Sequence, residues 1–454
     1  MTEITTEITQ ELLRTMQKRA PFAPEVAKGT VKGTVKGTDL QVMRESNRLL
    51  ILNYVREHGP VARATIARAT GLSATTVSTI IDALLQEGFV LEGATQRAAA
   101  SGGRRVVPVY FNAAGGYILG IALGRNYLTM LLCDLSAAIV SRNVIPFDTR
   151  QGAEVCLPLL VTALRVFANA QGVSWNRIVG AGLGMPGPID PHLQGPISPP
   201  RMPGWHNVNV RDLLSHSLGM PVYLDNNANL GALGESRYGA GQGVSNMIYL
   251  QLGAGIGGGL IMDGKIYRGN MGSAGEVGHM TVEPRGPICS CGKRGCLEVL
   301  AGAHAIVEEA RQKRSHFLAD ESADETVSAP NRLSELANIG QVVHAAQAGD
   351  PACREALESA GTSIGIALAN LMNVLNPSLI LLDGSSMQAG KLLLEPIRQA
   401  VASYSLPELC ENTRIISGAL SGDATALGGV AAVLDAIFGA GLAPQFSSSN
   451  FLAG

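Results

Sequence analysis

The stretch EVGHMTVEPRGPICSCGKRGCLE, residues 276–298, decides how the rest of the chain is read. Cys289, Cys291 and Cys296 fall within eight residues, and His279 stands ten residues ahead of the first. Three thiolates and one imidazole make a closed tetrahedral donor set, the kind Zn2+ takes in structural sites. Gly292 and Gly295 permit the tight turns by which one short loop supplies three sulfurs. Cysteines clustered among glycine and charged residues are not a core pattern. With no open fourth position the ion would be structural, fixing what flanks it: Glu276, three residues before His279, and Glu298, two after Cys296. Two carboxylates on a rigid loop suit hydrogen bonding to sugar hydroxyls.

Reading outward, LGAGIGGGLIMDGKIYRGNMGSAGEVGH (252–279), followed by CSCGKRGCLE, resembles the signature of the ROK family (repressors, open reading frames and sugar kinases). The resemblance continues through residues 44–438. It implies an α/β body of two actin-like (ribonuclease H-like) lobes with the sugar kinase fold and a sugar cleft between them. It implies Zn2+ on His279, Cys289, Cys291 and Cys296, and sugar contacts from Glu276, His279 and Glu298, with His279 serving both sugar and metal.

The same resemblance exposes two departures. The family's first phosphate motif is Asp-x-Gly-Gly-Thr, and the matching residues are Ala122, Leu123, Gly124, Arg125 and Asn126. The Asp is gone, and Arg125 would crowd a nucleotide phosphate. The family's catalytic motif is Glu-Asn-Asp-Ala-Asn, against Asp225, Asn226, Asn227, Ala228 and Asn229. Phosphoryl transfer needs positioning, charge neutralisation and a base for the sugar hydroxyl. Asn227 stands where that base should be, and an amide cannot accept the proton at neutral pH. The second glycine loop, GAGIGGG (253–259), remains as inherited turn geometry. Asn226 and Asn227 can still bond hydroxyls, so sugar binding is expected to outlast catalysis.

Residues 41–111 read as a mostly helical winged helix-turn-helix. Residues 44–57 carry Leu49, Leu50, Leu52, Tyr54 and Val55 at helical spacing, and His58-Gly59-Pro60 stops them. A second helix runs over 62–70 to Gly71. Ser73 is a good N-cap for a third helix to about Glu87, with Ile80, Ile81, Leu84 and Leu85 as its expected buried stripe. Ser73, Thr75, Thr76, Ser78 and Thr79 supply hydroxyls at the end where a recognition helix meets bases and phosphates. Strands at 89–91 and 106–111 then flank a loop with Arg97, Arg104 and Arg105, whose guanidiniums suit phosphates or the minor groove. The segment ATIARATGLSATTVSTIIDALLQEGFV resembles the DNA-binding domain of ROK repressors, which ROK kinases lack.

Charge agrees. Residues 41–110 carry eight Arg and no Lys against five acids, whereas residues 111–454 carry 21 basic and 27 acidic residues. A basic module on an acidic body is the asymmetry of a DNA-binding arm. Residues 1–40, with the repeat GTVKGTVKGT, read as a flexible arm whose Lys28, Lys32 and Lys36 have phosphates as an alternative role. Residues 112–440 form the sugar-binding domain, and 441–454 a disordered tail. Strands are expected in 117–145, 221–225, 247–253, 258–267 and 378–384, and 178–190 as a strand running into a glycine-proline loop, alternating with helices as in α/β folds. No apolar h-region and no run of about 18 uncharged apolar residues is visible, so neither secretion nor a membrane span is expected. Cys133, Cys156, Cys353 and Cys410 read as core thiols of a cytoplasmic protein.

The expectation is a catalytically inactive, sugar-responsive repressor of carbohydrate uptake or catabolism genes. It would read an inverted-repeat operator as a homodimer or tetramer. The competing readings are an atypical ATP-dependent sugar kinase and a repressor controlled by a protein partner.

Overall fold

The computed structural model describes residues 36–94, 107–197, 202–321 and 336–439, with side chains from residue 43 and up to residue 316 in the third segment. Arg97, Arg104 and Arg105, Lys28, Lys32 and the tail 441–454 lie outside the described residues. The first helix spans Lys36–His58 rather than starting at Arg44. Residues 36–40, expected as part of the arm, are therefore helical; nothing between Thr38 and His58 breaks the run. Arg63–Thr70 follows and ends on Gly71, whose φ of 71° is the left-handed cap that glycine takes readily. Ala74–Gln86 begins at Ser73, whose hydroxyl accepts the Thr76 amide at 3.1 Å. Its buried face is Val77, Ile81 and Leu84, an i, i+4, i+7 stripe. The expected Ile80 and Leu85 lie half-buried at its margins, because the face turns further toward the first helix than the densest apolar run suggests. Strands Val61–Ala62, Val90–Glu92 and Pro108–Phe111 form one antiparallel sheet with Pro108–Phe111 in the middle. This is a winged helix-turn-helix head.

Beyond it stand two lobes with the same topology. In the first, Tyr117–Leu123, Tyr127–Asp134 and Ile139–Pro146 form an antiparallel meander, and Ile178–Met185 and Val222–Asn226 add in parallel beside the first strand. In the second, Met247–Leu252, Ile256–Met262 and Lys265–Ile266 form the meander, and Leu379–Asp383 and Arg414–Ser417 add in parallel. Counted within each lobe, both strand orders are 3-2-1-4-5. This is the actin-like sugar kinase fold. The helices Val210–Leu218 and Lys391–Tyr404, absent from the sequence expectations, pack beside the Val222–Asn226 strand and against the helix Pro351–Leu375, respectively. Residues 339–375 are two helices, broken where Asp350 caps Pro351–Leu375 by accepting the Cys353 amide at 2.9 Å. Ala153–Ala170 and residues Ser421–Phe438, which include the last helix, Ala424–Phe438, are apolar and long enough to cross a membrane by length and composition alone. Each lays its buried residues on the first sheet as a core helix does.

The last helix lies backbone-to-backbone on its neighbours. A Cβ at Gly182 would sit 2.1 Å from the Gly429 carbonyl oxygen, and one at Gly428 would sit 1.8 Å from that of Leu230. Only glycine permits that approach. Two passages join the lobes, residues 239–246 and 418–423, and one carboxylate holds both. Glu235, fully buried, accepts the Ala240 amide through Oε2 and the Leu420 amide through Oε1, each at 2.8 Å. Gly428→Ala should lower stability by about 1–3 kcal/mol or more, because the new methyl meets fixed backbone. Urea denaturation checks this; native stability in the variant would contradict the packing.

Candidate functional site

Asn226 and Asn227 sit where Val222–Asn226 passes into the Asn227–Tyr238 helix. Asn226 is that helix's N-cap: Oδ1 accepts the Ala228 amide at 2.7 Å, and Nδ2 donates to the Gly187 carbonyl at 2.7 Å. Both ends of its amide are engaged. Asn227 is buried at 8 % exposure, and Nδ2 donates to the Leu123 carbonyl at 3.0 Å. Its Oδ1 has no hydrogen-bond partner. The helix start rests against the Ile256–Met262 strand, where a Cβ at Gly259 would meet the Ala228 carbonyl oxygen at 2.2 Å.

On that strand's other side, Gly258 donates to the Gly275 carbonyl at 2.8 Å, which places the turn that holds Glu276 and His279. Glu276 Oε2 stands 3.9 Å from His279 Nε2. Burial pushes the Glu276 carboxyl above its ordinary range; His279 opposes that shift and Glu298 adds to it. Glu298 lies in the first turn of Leu297–Ala301, where Oε2 accepts the Ile256 amide at 3.2 Å. Lobe one is joined to this group by Arg268, whose Nε and Nη2 donate to Asp225 Oδ2 at 2.9 and 2.7 Å. Asp225 Oδ1 in turn accepts Asn229 Nδ2 at 2.8 Å. The Arg268–Asp225 pair was not foreseen, since the two residues lie far apart in sequence and neither spacing nor periodicity marks them.

The other face of His279 meets the cysteines. His279 Nδ1 is 3.7 Å from Cys289 Sγ, and Cys291 Sγ is 3.6 Å from Cys296 Sγ. All four donor atoms lie within 4.8 Å of one another. A tetrahedral ion with about 2.0–2.3 Å bonds to nitrogen and sulfur needs edges of roughly 3.5–3.8 Å, so the donor set fits a metal ion. Gly295, at φ 63°, makes this possible: a Cβ there would lie 1.5 Å from the Glu283 carbonyl oxygen. With only protein groups as neighbours, the Lys293 amide holds the Cys291 thiol low while burial pushes Cys296 up to about 12. Cys296 directly precedes the helix of Glu298, and His279 ends the turn of Glu276. An ion at the four donors would tie the Glu276 and Glu298 carboxylates into one frame.

In the head, Ser73, Thr75 and Thr79 are exposed and Thr76 and Ser78 half-buried. Ser73 is engaged as the cap, its oxygen also 2.8 Å from Thr76 Oγ1, and Thr79 Oγ1 donates to the Thr75 carbonyl at 3.0 Å. At the expected phosphate turn, Ala122 is buried and Arg125 exposed. The Arg125 carbonyl accepts the Thr149 amide at 3.1 Å.

Head, duplicated lobes and a carboxylate-and-thiol loop between them define a class: DNA-binding proteins built on a sugar kinase scaffold. Residues 118–436 match the ROK family, and residues 44–90 match the winged helix-turn-helix DNA-binding family. The chain belongs to the ROK family. It is 31 % identical over 393 residues to a xylose repressor of Caldicellulosiruptor bescii, covering 87 % of this chain and 96 % of that one. Its fold is similar to a ROK family transcriptional regulator described as a homolog of the E. coli MLC protein, with TM-score 0.70, 25 % identity and coverage of 87 % and 97 %. It is also similar to a ROK glucokinase from Streptomyces griseus solved with glucose and AMPPNP, with TM-score 0.61, 28 % identity and coverage of 70 % and 99 %. The kinase match thus leaves out about a third of this chain, and the regulator match much less.

Asn226→Ala should cost about 1 kcal/mol of stability through the lost cap. A denaturation midpoint equal to the native one would show that the cap carries no load.

Proposed function

We propose that this chain is a sugar-responsive DNA-binding repressor whose kinase-like body holds a carbohydrate without phosphorylating it. The observation that carries this reading is the Asn227 amide. Its Nδ2 donates to the Leu123 carbonyl, a contact that an ionised carboxylate, having no proton to give, cannot make. The site is arranged around an amide where a kinase needs a base. Ala122 and Arg125 at the neighbouring turn support the same conclusion. Glu276, His279 and Glu298 are retained, so the carboxylates and imidazole for holding hydroxyls remain where the base is missing. The nearby repressor relative, named for xylose, agrees with a sugar effector.

In this reading Zn2+ sits on His279, Cys289, Cys291 and Cys296, and supplies rigidity rather than chemistry. With Nδ1 turned to the ion, Nε2 keeps the proton and donates toward Glu276 or a sugar hydroxyl. Glu276 and Glu298 accept from hydroxyls. Ser73, Thr75, Thr76, Ser78 and Thr79, with Arg104 and Arg105, face operator DNA in the cytoplasm, where the thiols stay reduced. Two heads on a two-fold homodimer, or two such pairs in a tetramer, read an inverted repeat. Sugar shifts the equilibrium between lobe arrangements by its differential affinity for them, and the heads follow.

The test uses a duplex selected by the protein from a random DNA library, titrated with and without D-xylose, D-glucose and N-acetyl-D-glucosamine. One sugar should weaken operator binding at least about tenfold, a coupling of typical size, and a coupled assay with ATP and the same sugars should show no turnover. Turnover abolished by Asn227→Ala, or DNA released by a protein and by no sugar, would overturn the reading. Separately, Cys289→Ser should release the ion in elemental analysis and weaken sugar binding about tenfold or more. Full metal content in that variant would remove the cluster from the account.

A further inference from the structure

Phe438 ends the last helix inside the head. Its carbonyl accepts Asn53 Nδ2 at 2.8 Å, and its ring meets Phe111 edge-on with centroids 5.9 Å apart. The Arg56 guanidinium lies over the same ring at 4.4 Å. Asn53 and Arg56 belong to the first head helix, and Phe111 to the hairpin that leads into the wing. One side chain therefore seats both the helical scaffold and the wing hairpin.

The opposite end of this helix lies at the cleft. The Thr425 hydroxyl donates to the Asn227 carbonyl at 3.0 Å. Ala424 packs with Met247, Tyr249 and Leu381 of the second lobe. The passage pinned by Glu235 runs directly into this end. Fifteen residues make a rod of about 22 Å. Gly428 and Gly429, pressed on Leu230 and Gly182, leave its middle no room to flex. The head end, by contrast, is not at an electrostatic rest point. All three guanidinium nitrogens of Arg56 are closed off from solvent without a hydrogen-bond partner. A buried charge in that state is unfavourable, so a small reseating can be gained cheaply. Glu57 and Asp435 are the acids that act on it.

We propose that the Ala424–Phe438 helix is the rod through which the sugar cleft sets the orientation of the DNA-binding head. Thr425 takes up movement at Asn227, and Phe438 delivers it to Asn53, Arg56 and Phe111. This rests on the sugar-responsive reading above. Thr425, Phe438 and Arg56 are positioning residues, and their effect belongs to the coupling between the two ligands rather than to either affinity.

The experiment measures operator Kd with and without the effective sugar for the full native chain, Thr425→Val and Phe438→Leu. Each variant should keep its sugar Kd and its sugar-free operator Kd within about threefold of native. The ratio of operator Kd with sugar to that without should fall at least about fivefold, the scale of an ordinary coupling. A native ratio in both folded variants overturns the rod. If either variant melts early, hydrogen exchange on the native protein decides. Sugar should change exchange at residues 51–56 and 433–438, and unchanged rates with a sugar that does release DNA overturn the rod. A native chain that answers no sugar overturns the functional reading and the rod with it, and is recognised from the native titration alone.

Discussion

Glu235 holds the molecule's two halves in relation to one another. Its carboxylate is fully buried, and each oxygen receives a backbone amide from a different passage between the lobes. Charge-assisted bonds to backbone are among the stronger hydrogen bonds. Two passages tied to one group cannot shift independently of one another. The cleft, the cysteine loop and the last helix all inherit their relative placement from it.

Within that frame the cleft brings carboxylates, an imidazole and a buried amide together. The His279–Cys289–Cys291–Cys296 cluster adjoins Glu276 and Glu298 on one side. The Arg268–Asp225 pair fastens the same loop to the first lobe. Asn227 is bonded to the Leu123 carbonyl in a way that an acid at the same position would turn into repulsion between two oxygens.

Much of this was legible in the sequence, and the rest was hidden for identifiable reasons. The cysteine loop carried its meaning in spacing and glycines, which are local properties. The sheet strands carried theirs in short apolar runs bounded by glycine and proline. The helix of Ser73 was placed to within a residue by its cap, yet its buried face was set one step off, because Val77 is buried only through the first helix packed across it. The Lys36 helix start was hidden by the small residues that precede Leu40. That Asn226 caps its helix and holds Gly187 depends on which backbone groups lie nearby in space, a fact periodicity does not contain. Arg268, Thr425 and Glu235 act across sequence separations that no local pattern spans.

Ile51, Val55, Val77 and Val109 of the head share one continuous apolar cluster with Val430, Leu434 and Phe438 of the last helix. Head and body are therefore not exchangeable cassettes. Recombination that moved this reading module onto a foreign scaffold would strip it of its floor, unless the recipient ended in a helix of matching shape. Diversification of such regulators is then expected to proceed by changing surfaces on an intact whole, with the far carboxyl end constrained by the amino end it supports.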